Sequence, residues 1–179
     1  MSLRTNNGAY ELEYFQYLHP EILTRTILCL DPGETMGWSV FASGQLYEAG
    51  QLSVRKALRV NEDPDTLFNV LENFFNDRGA THCVMEDYIV YAHKLKAHVW
   101  NPLFTSKLIG SLSLMCSQRQ IPIQYQMAGA AKFFSTNEKL KRWGLWQVHH
   151  KHANDSIRHG LYYMLSTSMA LNASQEGIK

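Results

Sequence analysis

The sequence is short of cysteine, of acidic residues in its second half, and of long apolar runs. Only 3 of its 179 residues are cysteine, and Cys29, Cys83 and Cys116 stand far apart inside apolar segments, with no C-x-x-C pair. An odd, scattered set builds neither a disulfide framework nor a cysteine zinc site. It suits a reducing compartment. No apolar run reaches the roughly 18 residues that span a bilayer, so no membrane is expected as a partner. The N-terminus lacks the basic-then-apolar pattern of an export signal, and export is not expected. With 5 prolines and 11 glycines against 45% hydrophobic residues, the chain is neither collagen-like nor low-complexity nor wholly disordered. At this length it is expected to bury most of its apolar surface as one domain, without staples.

Charge is present but unevenly placed. The formal net charge of +1 conceals two opposed halves. Residues 1–87 carry 6 Lys and Arg against 13 Asp and Glu; residues 88–179 carry 11 against 3. Lys94, Lys96, Lys107, Arg119 and Lys132 follow one another with no anion between Ile89 and Lys132, and Lys139, Lys141, Arg142 and Lys151 form a second cluster. Such polarity builds a basic surface for a polyanion, with Phe133, Trp143 and Trp146 at hand for stacking. It is equally a solvated face beside ordinary core aromatics. The acidic half leaves room for a metal-holding centre.

The pattern of apolar residues predicts an α/β chain. Thr26–Leu30 reads as a buried central strand that ends in Asp31-Pro32-Gly33. Gly37–Phe41 and Leu46–Val54 read as two further strands, joined by a turn at 42–45 and arranged as antiparallel hairpins. Leu67, Val70, Leu71, Phe74 and Phe75 carry a helical spacing over Pro64–Asp77, closed by Gly79. His82–Met85 is the next strand, Pro102–Gln118 a helix with proline near its first turn, and Ile121–Gln126 a strand. Ala128–Phe134 reads as a short helix, 135–149 as irregular or partly helical, and Lys151–Ser166 as the final helix. The order implies a mixed central sheet, three antiparallel strands then parallel ones, flanked by helices. Residues 1–24 read as an N-terminal extension, 25–170 as the domain and 171–179 as a tail.

Two strands end in acids. Alternation puts Asp31 on the face of Ile27 and Cys29. Glu86 follows His82-Cys83-Val84-Met85 in the same way. A carboxylate at the end of a buried strand is costly unless paired, hydrogen-bonded or metal-bound. Each alone also reads as a turn former or a solvated strand end. On the last helix His152 and Asp155 are three apart and share a face. Ala153, Ile157, Leu161, Met164 and Ser168 make the opposite, mostly apolar face, which leaves His152, Asp155 and His159 on the polar side. That side is either solvated or lines a cleft at the sheet edge. Asp31, Glu86, Asp155 and His152 together would form an oxygen-rich site suited to Mg²⁺ or Mn²⁺. Two such ions ~3.5–4 Å apart suffice for phosphodiester hydrolysis without a protein nucleophile. Ser39 and Ser111 lack a His/Asp partner, His149 and His150 read as exposed or phosphate-facing, and His82 reads as structural.

Ile27-Leu28-Cys29-Leu30-Asp31-Pro32-Gly33-x-x-x-Gly37-Trp38, Val84-Met85-Glu86-Asp87-Tyr88 and His152-Ala153-Asn154-Asp155-Ser156-Ile157-Arg158-His159, in this order, resemble the RuvC-like Holliday-junction resolvases of the RNase H-like superfamily, especially small bacteriophage versions. The resemblance runs from about Thr26 to Leu165. It implies an RNase H-like fold, with Asp31, Glu86 and Asp155 as catalytic metal ligands and His152 in a fourth position. Asp87 is then a neighbour rather than a ligand. It implies two Mg²⁺ or Mn²⁺ ions, no organic cofactor, and a homodimer that matches the two-fold symmetry of a four-way DNA junction. Cleavage leaves 3′-hydroxyl and 5′-phosphate ends. The loop after the second acid, with Tyr88, Tyr91, Lys94 and Lys96, would meet the branched DNA. Lys132, Lys141, Arg142 and Lys151 are further candidates for phosphate contact. The setting implied is the cytoplasm of a bacterial or phage-infected cell. Three alternatives stay open: a nuclease of the same fold acting on flaps, replication intermediates or RNA; a branched-DNA binding module that does not cut; and a domain that binds no nucleic acid, whose charge polarity serves a protein partner.

Overall fold

The computed structural model describes residues 3–4, 15–54, 69, 71–73, 75–88 and 104–176. Its strands are β1 (Leu3–Arg4), β2 (Thr26–Asp31), β3 (Thr35–Ala42), β4 (Gln45–Ser53), β5 (His82–Glu86) and β6 (Ile123–Gln126). Its helices are α1 (Pro20–Leu23), α2 (Phe104–Gln118), α3 (Ala128–Phe134), α4 (Asn137–Arg142) and α5 (Lys151–Glu176), with a short 3₁₀ turn at Phe15–Tyr17. Leu71 and Phe75 are helical, and the helix expected over 64–77 lies in part outside the described residues. No helix among the described residues is long and apolar enough to cross a membrane.

The strands form one sheet in the order β1-β4-β3-β2-β5-β6. β2, β3 and β4 pair antiparallel, while β5 and β6 run parallel to β2. The mixed sheet expected from the sequence is therefore present. Alternation along β2 divides the core. Leu28 and Leu30 join Trp38, Val40, Leu71, Phe75, Leu108 and Leu112 on one face. Ile27 and Cys29 join Phe41, Val84, Ala153, Ile157 and Leu161 on the other. The sheet is thus covered by α2 and by α5, and the site residues belong to the α5 face. Each aliphatic side chain buried there contributes about 1.5–3 kcal/mol of transfer free energy.

Two glycines set how close α5 comes. A Cβ at Gly37 would stand 1.9 Å from the His152 carbonyl oxygen, and one at Gly160 would stand 2.3 Å from the Phe41 ring. Only a bare backbone fits at either place. Gly37 is also the cross-strand partner of Asp31. The missing side chain therefore seats the first turn of α5 beside the end of β2.

The last helix is longer than the sequence reading, which stopped it at Ser166. It continues to Glu176, through the place where a tail was expected to begin. Residues 167–176 hold no proline or glycine, and tertiary contacts keep them helical. The Ser168 hydroxyl accepts from the His19 backbone N–H at 2.9 Å, Gln175 pairs with the His19 ring, and Leu171 packs on the core. Nor does the N-terminal segment stand apart: Leu18 and Ile22 are buried in the α5-side core, and β1 extends the sheet beyond β4.

Candidate functional site

Asp31, Glu86, His152 and Asp155 come from three elements and meet at one end of the sheet. Asp31 is the last residue of β2 and Glu86 the last of β5, parallel neighbours in the sheet. His152 and Asp155 lie on the first turns of α5. His152 Nδ1 lies 2.8 Å from Asp31 Oδ2, so the ring is held by its Nδ1 edge and Nε2 is the nitrogen not engaged by Asp31. Glu86 Oε2 lies 2.8 Å from His159 Nε2, and the other ring nitrogen of His159 lies 2.9 Å from Gln126 Oε1. Asp155 Oδ1 accepts from Arg158 Nη1 at 2.6 Å, and its Oδ2 is 3.4 Å from Lys132 Nζ.

The carboxylates feel one another. Burial pushes the Asp31 carboxyl up to about 6, and the charges of Glu86 and Asp155 act in the same direction, against the His152 hydrogen bond. Burial also raises Glu86, but the His159 hydrogen bond and the charges of His159, Lys132 and His152 outweigh it and leave the carboxyl below its usual range. Crowded anions of this kind invite a cation, and the donor set, carboxylates with an imidazole, is of the type that hard divalent ions take. Yet among the described residues no three His, Cys, Asp or Glu side chains stand in a ligating arrangement. The reason is visible in the contacts. Glu86 is held by His159, and Asp155 is turned onto Arg158 and Lys132. The ligand types fit a divalent ion; joint ligation requires Asp155 to leave those two cations.

The polar side of α5 is not a solvated face. Asp155, Arg158 and His159 are 6%, 6% and 1% exposed, and each side chain has a distant partner. Arg158 Nε donates to the Ser135 carbonyl at 2.8 Å and its Nη2 to Asn137 Oδ1, which ties the start of α4 to α5. The Asn154 side chain accepts from the Gln147 N–H and donates to the Gln147 carbonyl, both at 2.8 Å, and so pins the 143–150 connection to the helix. Sequence reasoning placed His159 on the polar side but gave it no task, and assigned Arg158, Asn154 and Gln126 none. For Asn154, Arg158 and His159 the signal was their place within the quoted α5 motif, whereas Gln126 on β6 carried none; the partners of these residues lie 3 to 73 residues away.

The nucleic-acid candidates are spread more widely. Lys132 on α3 reaches Asp155 rather than standing free. Lys151 is exposed at the start of α5. Lys141 and Arg142 are exposed at the end of α4, with Lys141 Nζ 5.4 Å from the Trp146 ring centroid. Tyr88 is half-buried just past β5, and its N–H donates to Asp87 Oδ1 at 2.9 Å. β5 ends at Glu86, so Asp87 lies beyond the strand, exposed. Tyr91, Lys94 and Lys96 lie outside the described residues.

No protein-family model matches the chain, and no curated protein matches it. Solved structures do. The chain is similar to Thermus thermophilus RuvC in complex with a Holliday junction substrate, at a TM-score of 0.60 and 14% identity, over 81% of this chain and 96% of that one. A second structure of Thermus thermophilus RuvC gives 0.57 at 14% identity, over the same shares of the two chains. The yeast mitochondrial Holliday junction resolvase Ydc2 gives 0.52 at 10% identity, over 98% and 92%. The mixed sheet, with its helices on both faces, is the RuvC-like form of the RNase H-like fold.

Proposed function

We propose that this protein is a divalent-metal-dependent endonuclease that cuts branched DNA, with the four-way junction as its substrate, and that it acts as a homodimer. The observation that carries the reading is the convergence of Asp31, Glu86 and Asp155, from β2, β5 and α5, closely enough that the other two raise the Asp31 carboxyl. The likeness of the fold to junction resolvases supports it. Asp31, Glu86 and Asp155 would hold two Mg²⁺ or Mn²⁺ ions, with His152 Nε2 as the nitrogen donor. Bound there, such ions activate water and stabilise the leaving oxygen. Asp31 orients His152 through the hydrogen bond at Nδ1, and His159 holds the Glu86 carboxylate in place. Lys132 and Lys151 line a cavity together with Asp155 and would draw a phosphate into it.

One observation favours a second reading. The pairing of Asp155 with Arg158 and Lys132 suits a module that binds branched DNA and does not cut it. A cleavage panel separates the readings. Four-way junction, flap, linear duplex and RNA–DNA hybrid are incubated with and without Mg²⁺. Symmetric, Mg²⁺-dependent nicks in the junction are expected. Preferential cutting of a flap or hybrid would move the substrate, and junction binding with no cutting in Mg²⁺ or Mn²⁺ would leave the binding module.

A further inference from the structure

Beside the carboxylates a cavity of about 410 Å³ opens among α3, α4 and the first turns of α5. Lys132, Lys151, Arg158, Asn137, Trp146 and Asp155 stand in its wall. The cations outnumber the one carboxylate. Arg158 and Lys132 already contact Asp155, whereas Lys151 makes no ion pair with a described residue. An anion entering here meets uncompensated positive charge on the side away from Asp155. The apolar part of the wall is one fixed ring: Trp146 packs against the α5-side core and carries Lys141 5.4 Å from its ring centroid. A ring already ordered loses little freedom when a second flat group stacks on it.

Cations beside a fixed indole select a ligand with a phosphate and an aromatic plane. The volume lies at the lower end of the roughly 300–1,000 Å³ found for small-molecule sites. That is room for one nucleotide and too little for a stacked duplex. A base can enter only when it is out of its own stack, as at an interrupted pairing.

We propose that this cavity takes one unpaired nucleotide of the bound DNA strand, its phosphate between Lys132 and Lys151 and its base against the Trp146 ring. The inference rests on the branched-DNA reading above and adds to it a subsite that reads unpaired character at a single position. Arg158 then has two tasks. It holds the Ser135–Asn137 turn that forms one wall, and it offsets Asp155 so that a phosphate can approach.

The test measures binding of a fluorescent synthetic four-way junction by anisotropy in EDTA, where no metal-dependent cutting occurs, over a range of salt concentrations. Lys151→Ala, an exposed change, is expected to weaken binding about five- to ten-fold and to lower the magnitude of the log–log salt slope by about one, as for one lost phosphate contact. Trp146→Leu is expected to weaken binding about ten-fold with the slope unchanged, and Trp146→Phe to restore most of it. A 2-aminopurine at the branch point should be quenched by the native protein and not by Trp146→Leu. Should Trp146→Leu fail to fold, Lys151→Ala and Trp146→Phe still decide the matter. Binding within two-fold of native for Lys151→Ala, or a salt slope that does not change in it, overturns the subsite. The same preparations are assayed for Mg²⁺-dependent cleavage. Native cleavage with unaffected variants removes the subsite alone, and a native protein that never cuts while Lys151→Ala loses affinity removes the nuclease reading alone.

Discussion

At the scale of single residues, Asp31 trades stability for a charge. Its folded carboxyl is raised from 3.8 to about 6. Below pH 4 the folded and unfolded chains both hold this proton. Between pH 4 and 6 only the folded chain holds it, so stability falls as the pH rises through that window, and the full cost stands above it. At ~1.4 kcal/mol per pKa unit, that cost is on the order of 3 kcal/mol. Asp31→Asn is therefore expected to be more stable than native at pH 7, by about 1–3 kcal/mol, with the advantage gone by pH 4; denaturant unfolding in metal-free buffer checks it. Equal stability at pH 7 would mean that Asp31 is not crowded. Arg158 makes the opposite case. Its side chain and that of Asp155 are 7% and 8% exposed, so removing the guanidinium leaves a buried carboxylate with only Lys132 Nζ at 3.4 Å beside it. Arg158→Met should cost about 3–5 kcal/mol. Adding Asp155→Asn should recover part of the loss, because the two changes share one contact. Strict additivity in that double-mutant cycle would contradict the coupling.

At the scale of elements, the approach of α5 to β3 is what assembles the site. Gly37→Ala places a methyl group 1.9 Å from the His152 carbonyl, against backbone that cannot rotate away. The first turn of α5 must move out, at a cost of about 3 kcal/mol or more, and His152 must leave Asp31. Gly33→Ala is the control, since its Cβ would meet nothing nearer than the Thr35 carbonyl at 3.4 Å. Thermal unfolding and junction cleavage should both suffer in Gly37→Ala and hold in Gly33→Ala; parity of the two variants would refute this account of Gly37. Much at this scale was legible in the chain. The period of two in β2 placed Asp31 with Ile27 and Cys29, and the apolar stripe Ala153, Ile157, Leu161, Met164 is the face that packs on the sheet. Helix length was not legible, because residues 167–176 owe part of their order to His19, some 150 residues away. The burial of His159 was hidden for a related reason. Helical periodicity separates polar from apolar positions but does not say whether the polar ones meet water or the ends of strands.

At the scale of the whole molecule, the opposed charge halves meet at the site. Asp31 and Glu86 come from the acidic first half, and Lys132, Lys151 and Arg158 from the basic second half. The sequence shows that polarity but not its geometry. The sequence offers Lys132 as a candidate phosphate contact, whereas its contact with Asp155 depends on how α3 lies against α5. The mixed sheet was legible in the order of the elements, but the pairing of β5 with β2 rather than with β4 was not. What a linear pattern does not hold is the set of side chains that pair with the acids: His159 with Glu86, and Arg158 and Lys132 with Asp155. The central claim is that three carboxylates from three elements act as one divalent-ion centre once Asp155 leaves Arg158 and Lys132. Calorimetric titration of Mn²⁺ into the native protein, Asp31→Asn and Asp155→Asn measures this directly. Saturable uptake by the native protein, lost or weakened at least ten-fold in both variants, is the predicted result; equal uptake by all three proteins, or none by the native one, would contradict it.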